Sequence, residues 1–416
     1  MFSINNNKSI GENQENSGYL LLVFLIWPFI AFAMACSNFK NNLNKKIILA
    51  FFALYGILYF LNPAMDGQRR ADGLKIIAQE PLENLFYTFE NLYEETLDFA
   101  EPLLMFLISR FSDFHGVLFG IYALIFGVLM LYYLNRMYLY YLDKKSITTL
   151  LFFTLLVCAN PINNIGGFRM WAAAWIFAIG LLGYLQNPKN KYLVLAACSF
   201  LIHFSFLPVV ILSVIYSVFK NRPKIYGLGA IATFFVAELN IESVRQYAAF
   251  FGTASQNKVG AYTGESYIEN LAELATKSAW YIDFINYGLK YFVLISLLVV
   301  FLKTKGQFKN KIIANFFSFT LMLLSFANIS SLLPSGSRFY VVFYIFAFST
   351  LLLYYAYETD YRKTELINRI GIPIVVLYVI FTFRLFSDNA SVYLFGPSFM
   401  MPFGILENVS LQSILF

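Results

Sequence analysis

Apolar runs long enough to cross a bilayer recur from one end of this chain to the other. A hydrocarbon core about 30 Å thick takes roughly 20 helical residues to span, and in lipid a helix satisfies its own backbone groups. Such segments fall at 19–36, 47–62, 115–140, 147–160, 169–186, 191–203, 205–219, 225–241, 284–303, 312–333, 338–357 and 370–386. Only 13% of the residues are charged and 59% are hydrophobic, whereas a soluble domain is about a quarter charged. The ten-residue alternating segments of an outer-membrane barrel are missing. The expectation is an all-α polytopic integral membrane protein of about twelve transmembrane helices, a single transmembrane domain over 1–416. The pair 191–203 and 205–219 is short for two crossings. It reads as a tight hairpin, with one kinked span around His203–Pro208 as the alternative.

Charge orients these spans. Counted with Lys191 and Lys303, the connections 37–46, 143–146, 187–190, 220–224, 304–311 and 358–369 hold 14 Lys, 3 Arg and only 4 acids. By the positive-inside rule this side is cytoplasmic. The other side carries both termini, the 63–114 and 242–283 segments and the turns at 161–168 and 334–337. It also carries Arg69, Arg70, Arg110, Arg169, Arg245, Arg338 and Arg384. Lysine is enough to set topology, but a planar guanidinium grips a phosphate or carboxylate with two hydrogen bonds. Arginines on the outer face therefore point to an anion there, or to pairing with that face's own acids.

The longest polar stretch, 63–114, opens with "MDGQRRADG". From Leu82 to Phe111 its apolar residues recur at three- and four-residue spacing, which predicts amphipathic helices on the outer interface. The 242–283 segment is predicted to be partly helical as well. The first apolar run follows a polar, Asn-rich head and reads as an uncleaved span. Cys36, Cys158 and Cys198 lie in apolar segments without metal or redox spacing, so neither a disulfide framework nor a thiolate metal site is expected. No phosphate-binding loop, dinucleotide fingerprint, zinc-ligand cluster or Asp-x-Asp pair is present. This argues against an ATP-driven pump and a sugar-nucleotide enzyme, and neither a cofactor nor a nucleic-acid partner is expected.

What remains is a gathering of ionisable residues at outer span ends. Arg169 opens the fifth span, Arg338 the eleventh, His203 sits in the 191–219 turn, and Arg69 and Arg70 follow the second span. An ionisable group at membrane depth is costly and marks a candidate site. Helix N-termini add partial positive charge at Arg169 and Arg338, and Gly166–Gly167 would let backbone amides approach an anion. A diphosphate fits such a site. Each residue also has a plainer role: an arginine snorkelling to headgroups, a histidine packed in a hairpin, Glu101–Pro102 capping a helix, aromatics forming interfacial belts.

The stretch "NIGGFRMWAAAWIFAIGLLGYLQNPKNKYLVLAACSFLIHFSFLPVVIL", from Asn164 to Leu212, resembles the core of the EpsG/Wzy-type polysaccharide polymerases. The matching positions are Arg169, His203 and Ser205, with Asp66 and Asp72, Glu101–Pro102 and "SGSRFY" around Arg338 in the family's order. The resemblance implies a multi-pass enzyme of the bacterial inner membrane with its active site facing the periplasm. It would join oligosaccharide repeat units carried on undecaprenyl diphosphate, without metal or nucleotide. Flippase and chain-length regulator proteins would be its partners.

On that reading Arg169 and Arg338, supported by Arg69 and Arg70, hold the diphosphate. His203, Asp66 and Glu101 are the candidates for orienting or deprotonating the acceptor hydroxyl. Tyr262, Tyr267, Trp280 and Tyr281 are positioned to stack on sugar rings. The alternatives are an O-antigen ligase and a lipid-linked oligosaccharide flippase or other transporter. A transporter would show internal repeats and charges near the bilayer midplane.

Overall fold

The computed structural model describes residues 15–63, 66–84, 98–236, 280–333, 335–358, 364–407 and 409–415. Every regular element among them is helical, as expected of an α polytopic membrane protein. In chain order these are α1 (Glu15–Ile26), α2 (Pro28–Ser37), α3 (Asn42–Ile57), α4 (Asp66–Gln79), α5 (Ala100–Ser109), α6 (His115–Asp143), α7 (Ile147–Ala159) and α8 (Phe168–Gln186). They continue with α9 (Asn190–Ile202), α10 (Leu207–Phe219), α11 (Pro223–Phe234), α12 (Trp280–Thr304), α13 (Lys311–Ser330), α14 (Phe339–Tyr357) and α15 (Glu365–Asn389), followed by short turns of helix near the C-terminus.

Six stretches among the described residues are long and apolar enough to cross a membrane: 115–143, 147–186, 280–304, 311–330, 336–357 and 365–389. All twelve apolar segments expected from sequence contain helix, but six long stretches are not twelve independent crossings. Helices α9, α10 and α11 have 13, 13 and 12 residues, each only about 20 Å long at 1.5 Å per residue. The 191–219 segment is two helices. It breaks at His203, whose φ of −150° and ψ of 114° are extended, followed by a 3-10 turn over Phe204–Phe206. Pro208 sits in the first turn of α10, where its missing N–H leaves no helix bond broken.

The core is α8, α13 and α14, with α6 and α7 against them. Trp175, midway along α8, has no exposed surface. Small residues let backbones touch, as they do between membrane helices. A Cβ on Gly56 of α3 would lie 2.2 Å from the Phe119 carbonyl oxygen of α6, and one on Gly180 of α8 would lie 2.4 Å from the Ala196 nitrogen of α9. Hydroxyl pairs tie the same helices together: Tyr133 with Ser349 at 2.8 Å and Thr320 with Thr350 at 2.8 Å. Helices α12 and α15 lie at the periphery, with most of their apolar surface uncovered, as suits lipid-facing helices.

The region expected to form amphipathic surface helices is different inside. Helix α5 carries its one acid, Glu101, buried, while Leu107 and the flanking Phe99 and Phe111 are exposed. Glu101 shares the inward face with Pro102, Met105, Phe106 and Ile108, so this acid is held among apolar neighbours, where an ionisable group is costly. In α4 the inward stripe is Gly67, Arg70, Ala71, Leu74 and Ile77, so Arg70 shares the apolar face. The apolar positions at 85–97 and the expected helix within 242–279 lie outside the described residues.

Candidate functional site

Six ionisable side chains from α4, the start of α5, the start of α8 and the α9–α10 turn form one chain in which acids alternate with two arginines and a histidine. It runs Asp66, Arg70, Glu101, Arg169, Asp98, His203. Arg70 Nη1 is 3.9 Å from Asp66 Oδ2, and its Nε donates to Glu101 Oε1 at 2.6 Å. The other Glu101 oxygen, Oε2, is 2.8 Å from Arg169 Nε. That is an ion pair whose N–H is not aimed along the contact. Arg169 Nη1 donates to Asp98 Oδ2 at 2.8 Å, and the same oxygen lies 3.1 Å from His203 Nδ1. Asp98 Oδ1 accepts from the Phe204 backbone N–H at 2.7 Å.

Burial makes this pairing obligatory. Asp98 has no exposed surface, and Glu101 and Arg70 are under a tenth exposed. An isolated ion taken from water costs several kcal/mol, and only partners with good geometry offset it. Burial alone disfavours a charged Arg70, but the Glu101 carboxylate beside it holds the guanidinium firmly protonated. Burial likewise pushes the Asp66 carboxyl up, yet Arg70, Arg69 and Arg338 together outweigh it and hold the group below its ordinary value.

Local structure aims these groups. The 3-10 turn Ile162–Gly167 feeds α8, and Phe168, its first residue, stacks on Tyr122 at 4.1 Å between ring centroids. Tyr122 in turn donates to Glu101 at 3.2 Å, so one aromatic pair fixes both Arg169 and its carboxylate. Arg70 Nη1 donates to the Gly166 carbonyl at 2.7 Å. A Cβ on Gly166 would lie 2.4 Å from the Tyr59 hydroxyl. The space beside Gly166 thus holds the Tyr59 hydroxyl, and the Trp171 indole stands where a side chain on Gly167 would go.

The expected residues thus separate. Arg169, Arg70, Glu101, His203 and Asp66 come together. Arg69 is largely exposed and pairs with Asp66 on its own helix. Arg338 is exposed, acts on Asp66 through space, and forms no ion pair with an acid among the described residues. Arg384 stays with Asp388 on α15, 3.6 Å away. Arg110 donates to the Ile77 and Glu80 carbonyls at the end of α4, a helix C-terminal cap. Trp280, at the start of α12, is exposed, while Tyr262 and Tyr267 lie outside the described residues. No group of three or more His, Cys, Asp or Glu side chains among the described residues is placed to hold a metal ion.

Asp98 is the residue that sequence reasoning passes over. It lies in the acidic run after Glu94 and Glu95, which looks like a solvated face. Its signal is spacing: Asp98 and Glu101 are one helical turn apart, between phenylalanines and ahead of "PLLMFLI", where an unpaired acid would be expensive.

The profile of the EpsG family matches residues 83–396, a span that includes Asp98, Glu101, Arg169, His203 and Arg338. Neither the curated proteins nor the solved structures searched contain a match. With well over half of its length matched, the chain belongs to the EpsG family, a family of Wzy-type polysaccharide polymerases.

Proposed function

We propose that the protein is a membrane glycosyltransferase that polymerises oligosaccharide repeat units carried on undecaprenyl diphosphate, at the periplasmic face of the bacterial inner membrane. The observation that carries this reading is the chain of acids, arginines and a histidine, buried at Asp98, Glu101 and Arg70, with the exposed Arg338 at its Asp66 end. The lysine-rich connections would then face the cytoplasm.

In the reaction the acceptor hydroxyl oxygen of an incoming unit bonds to the anomeric carbon of the growing chain. The bond from that carbon to the lipid diphosphate breaks, and the diphosphate leaves with the electron pair. Arg338 stabilises the charge on the leaving group. His203 takes the acceptor proton. Asp98 accepts from Nδ1–H and so leaves the lone pair on Nε2, the orienting role a carboxylate plays toward a basic imidazole. Arg169, Arg70 and Glu101 hold these parts in register. Trp280, Tyr262 and Tyr267 are proposed to stack on the sugars. Flippase and chain-length regulator proteins would be its partners, and the chemistry asks for no metal or nucleotide.

The test is purified protein in lipid nanodiscs with lipid-linked repeat units. A ladder of longer glycans that disappears in Arg338→Ala supports the reading. Glycan transferred to a lipid A core acceptor, with no ladder, would make the protein a ligase. Transbilayer movement of the lipid-linked unit without bond formation would make it a flippase.

A further inference from the structure

The charge pattern divides the cations into two groups. Arg70 and Arg169 are committed to Glu101 and Asp98. Arg338, and Lys290 within α12, form no ion pair with an acid among the described residues. Lys290 lies on the inward stripe of that helix with Val293 and Leu297, both buried. Its ammonium sits 4.4 Å from the centre of the Tyr340 ring on α14 and 6.0 Å from that of Phe234 on α11. No acid among the described residues forms an ion pair with it.

Lys290 is half-buried, and a ring face offsets part of the cost of placing an ammonium at membrane depth. The platform under it is built to stay in place. The Tyr340 hydroxyl donates to Asn328 Oδ1 at 2.8 Å. The Asn328 amide donates to Thr233 Oγ1 at 3.1 Å and to the Ala230 carbonyl at 3.2 Å. Three helices are thereby joined beneath one cation. Tyr340 also follows Arg338 by two residues, so both cations border the first turn of α14.

The surroundings suit a lipid-linked anion. Helix α12 is largely uncovered, with its Tyr287 and Tyr291 exposed, as is Phe235 at the end of α11. A chain reaching this point from lipid would lie along apolar surface and end at two positive charges.

We propose that Lys290 and Arg338 together bind the diphosphate of a polyprenyl-linked substrate, entering between α11, α12 and α14, and that Arg169 and Arg70 position the site without touching that group. This rests on the polymerase reading and sharpens it.

The experiment measures binding of geranylgeranyl diphosphate, geranylgeranyl monophosphate and phosphatidylglycerol to full-length protein in detergent, alongside the glycan ladder. Variants are Lys290→Gln, Lys290→Arg and Arg338→Gln, with Arg369→Gln, on an exposed pair with Glu365, as control. Expected is a diphosphate affinity at least tenfold weaker in Lys290→Gln and Arg338→Gln, with the preference over monophosphate reduced. Lys290→Arg and Arg369→Gln should stay within threefold of wild type. Gel filtration and thermal unfolding of each variant check that loss of binding is not loss of fold. Wild-type diphosphate affinity in Lys290→Gln overturns the proposal, as does a wild-type protein that binds no diphosphate. So does a loss confined to phosphatidylglycerol, which would assign the pair to headgroups. A ladder made by Lys290→Gln at wild-type KM sinks this site and leaves the polymerase standing. Lys290-dependent binding without any ladder does the reverse.

Discussion

Asp98 and Arg169, 71 residues apart in the chain, meet at 2.8 Å with the Asp98 carboxylate fully buried. Removing the negative charge while keeping the shape leaves a guanidinium and an imidazole facing each other over a neutral amide. Breaking a buried pair by taking one partner costs about 3–5 kcal/mol. Asp98→Asn is therefore expected to lower the thermal unfolding midpoint in detergent by several degrees and to abolish the glycan ladder. A variant as stable and active as wild type would show that the pair organises nothing.

His203 separates chemistry from packing at the same place. His203→Gln keeps a polar side chain of similar reach, and losing one hydrogen bond costs about 1 kcal/mol. A general base contributes roughly 10²–10⁴ in rate. The expected outcome is near-wild-type stability with turnover down at least a hundredfold. Turnover within tenfold of wild type would remove His203 from the reaction.

How much of this was legible depended on the range of the signal. Apolar runs and lysine placement are local patterns, and they located the helix that carries Arg169 and the helices that border His203 and Arg338. Pairing is not local. Arg70 reaches Glu101 across 31 residues and Gly166 across 96. Nothing beside Arg169 in the sequence says that two carboxylates from the region before α6 will neutralise it. The Arg70–Leu74–Ile77 stripe did record that Arg70 points inward. The periodicity of α5 marked its two faces but not which face meets lipid. Lys290 was indistinct because one lysine near the outer end of a span looks like a snorkelling residue until Tyr340 is seen beneath it.

Glu101 serves two arginines, so its removal and theirs should not add. Glu101→Gln leaves Arg70 and Arg169 without their shared partner, and Arg70→Gln leaves Glu101 with one. The double variant should be less destabilised than the sum of the singles, with a coupling of about 2 kcal/mol, within the range seen for contacting residues. Unfolding midpoints of the four proteins measure it, and additivity would mean that the 2.6 Å contact carries no energy.

Gly166 tests the packing of the turn that launches α8. A methyl there would lie 2.4 Å from the Tyr59 hydroxyl oxygen and 3.4 Å from the ring carbon bearing it. Gly166→Ala is expected to cost about 1–3 kcal/mol through overpacking. Removing the hydroxyl in Tyr59→Phe leaves only the ordinary 3.4 Å contact, so the double variant should recover most of the loss. If Tyr59→Phe rescues nothing, the glycine is required for another reason.

Asp66 sets the acid side of this network. Burial alone would raise its carboxyl, and the arginines around it more than reverse that, so its value in the folded protein lies below the ordinary 3.8. A depressed carboxyl binds its proton less readily when folded than when unfolded, so its stabilisation is fully present above the unfolded value. It is lost as pH falls through the folded one. Because the side chain is 39% exposed, solvent screening keeps the effect small. Wild type should therefore unfold at a slightly higher temperature than Asp66→Asn at pH 6 and 7. The gap should begin to close as the pH approaches the unfolded value of 3.8 and vanish only below the lower, folded value. A gap that stays constant down to pH 3 would mean that the carboxylate charge is not what Asp66 contributes.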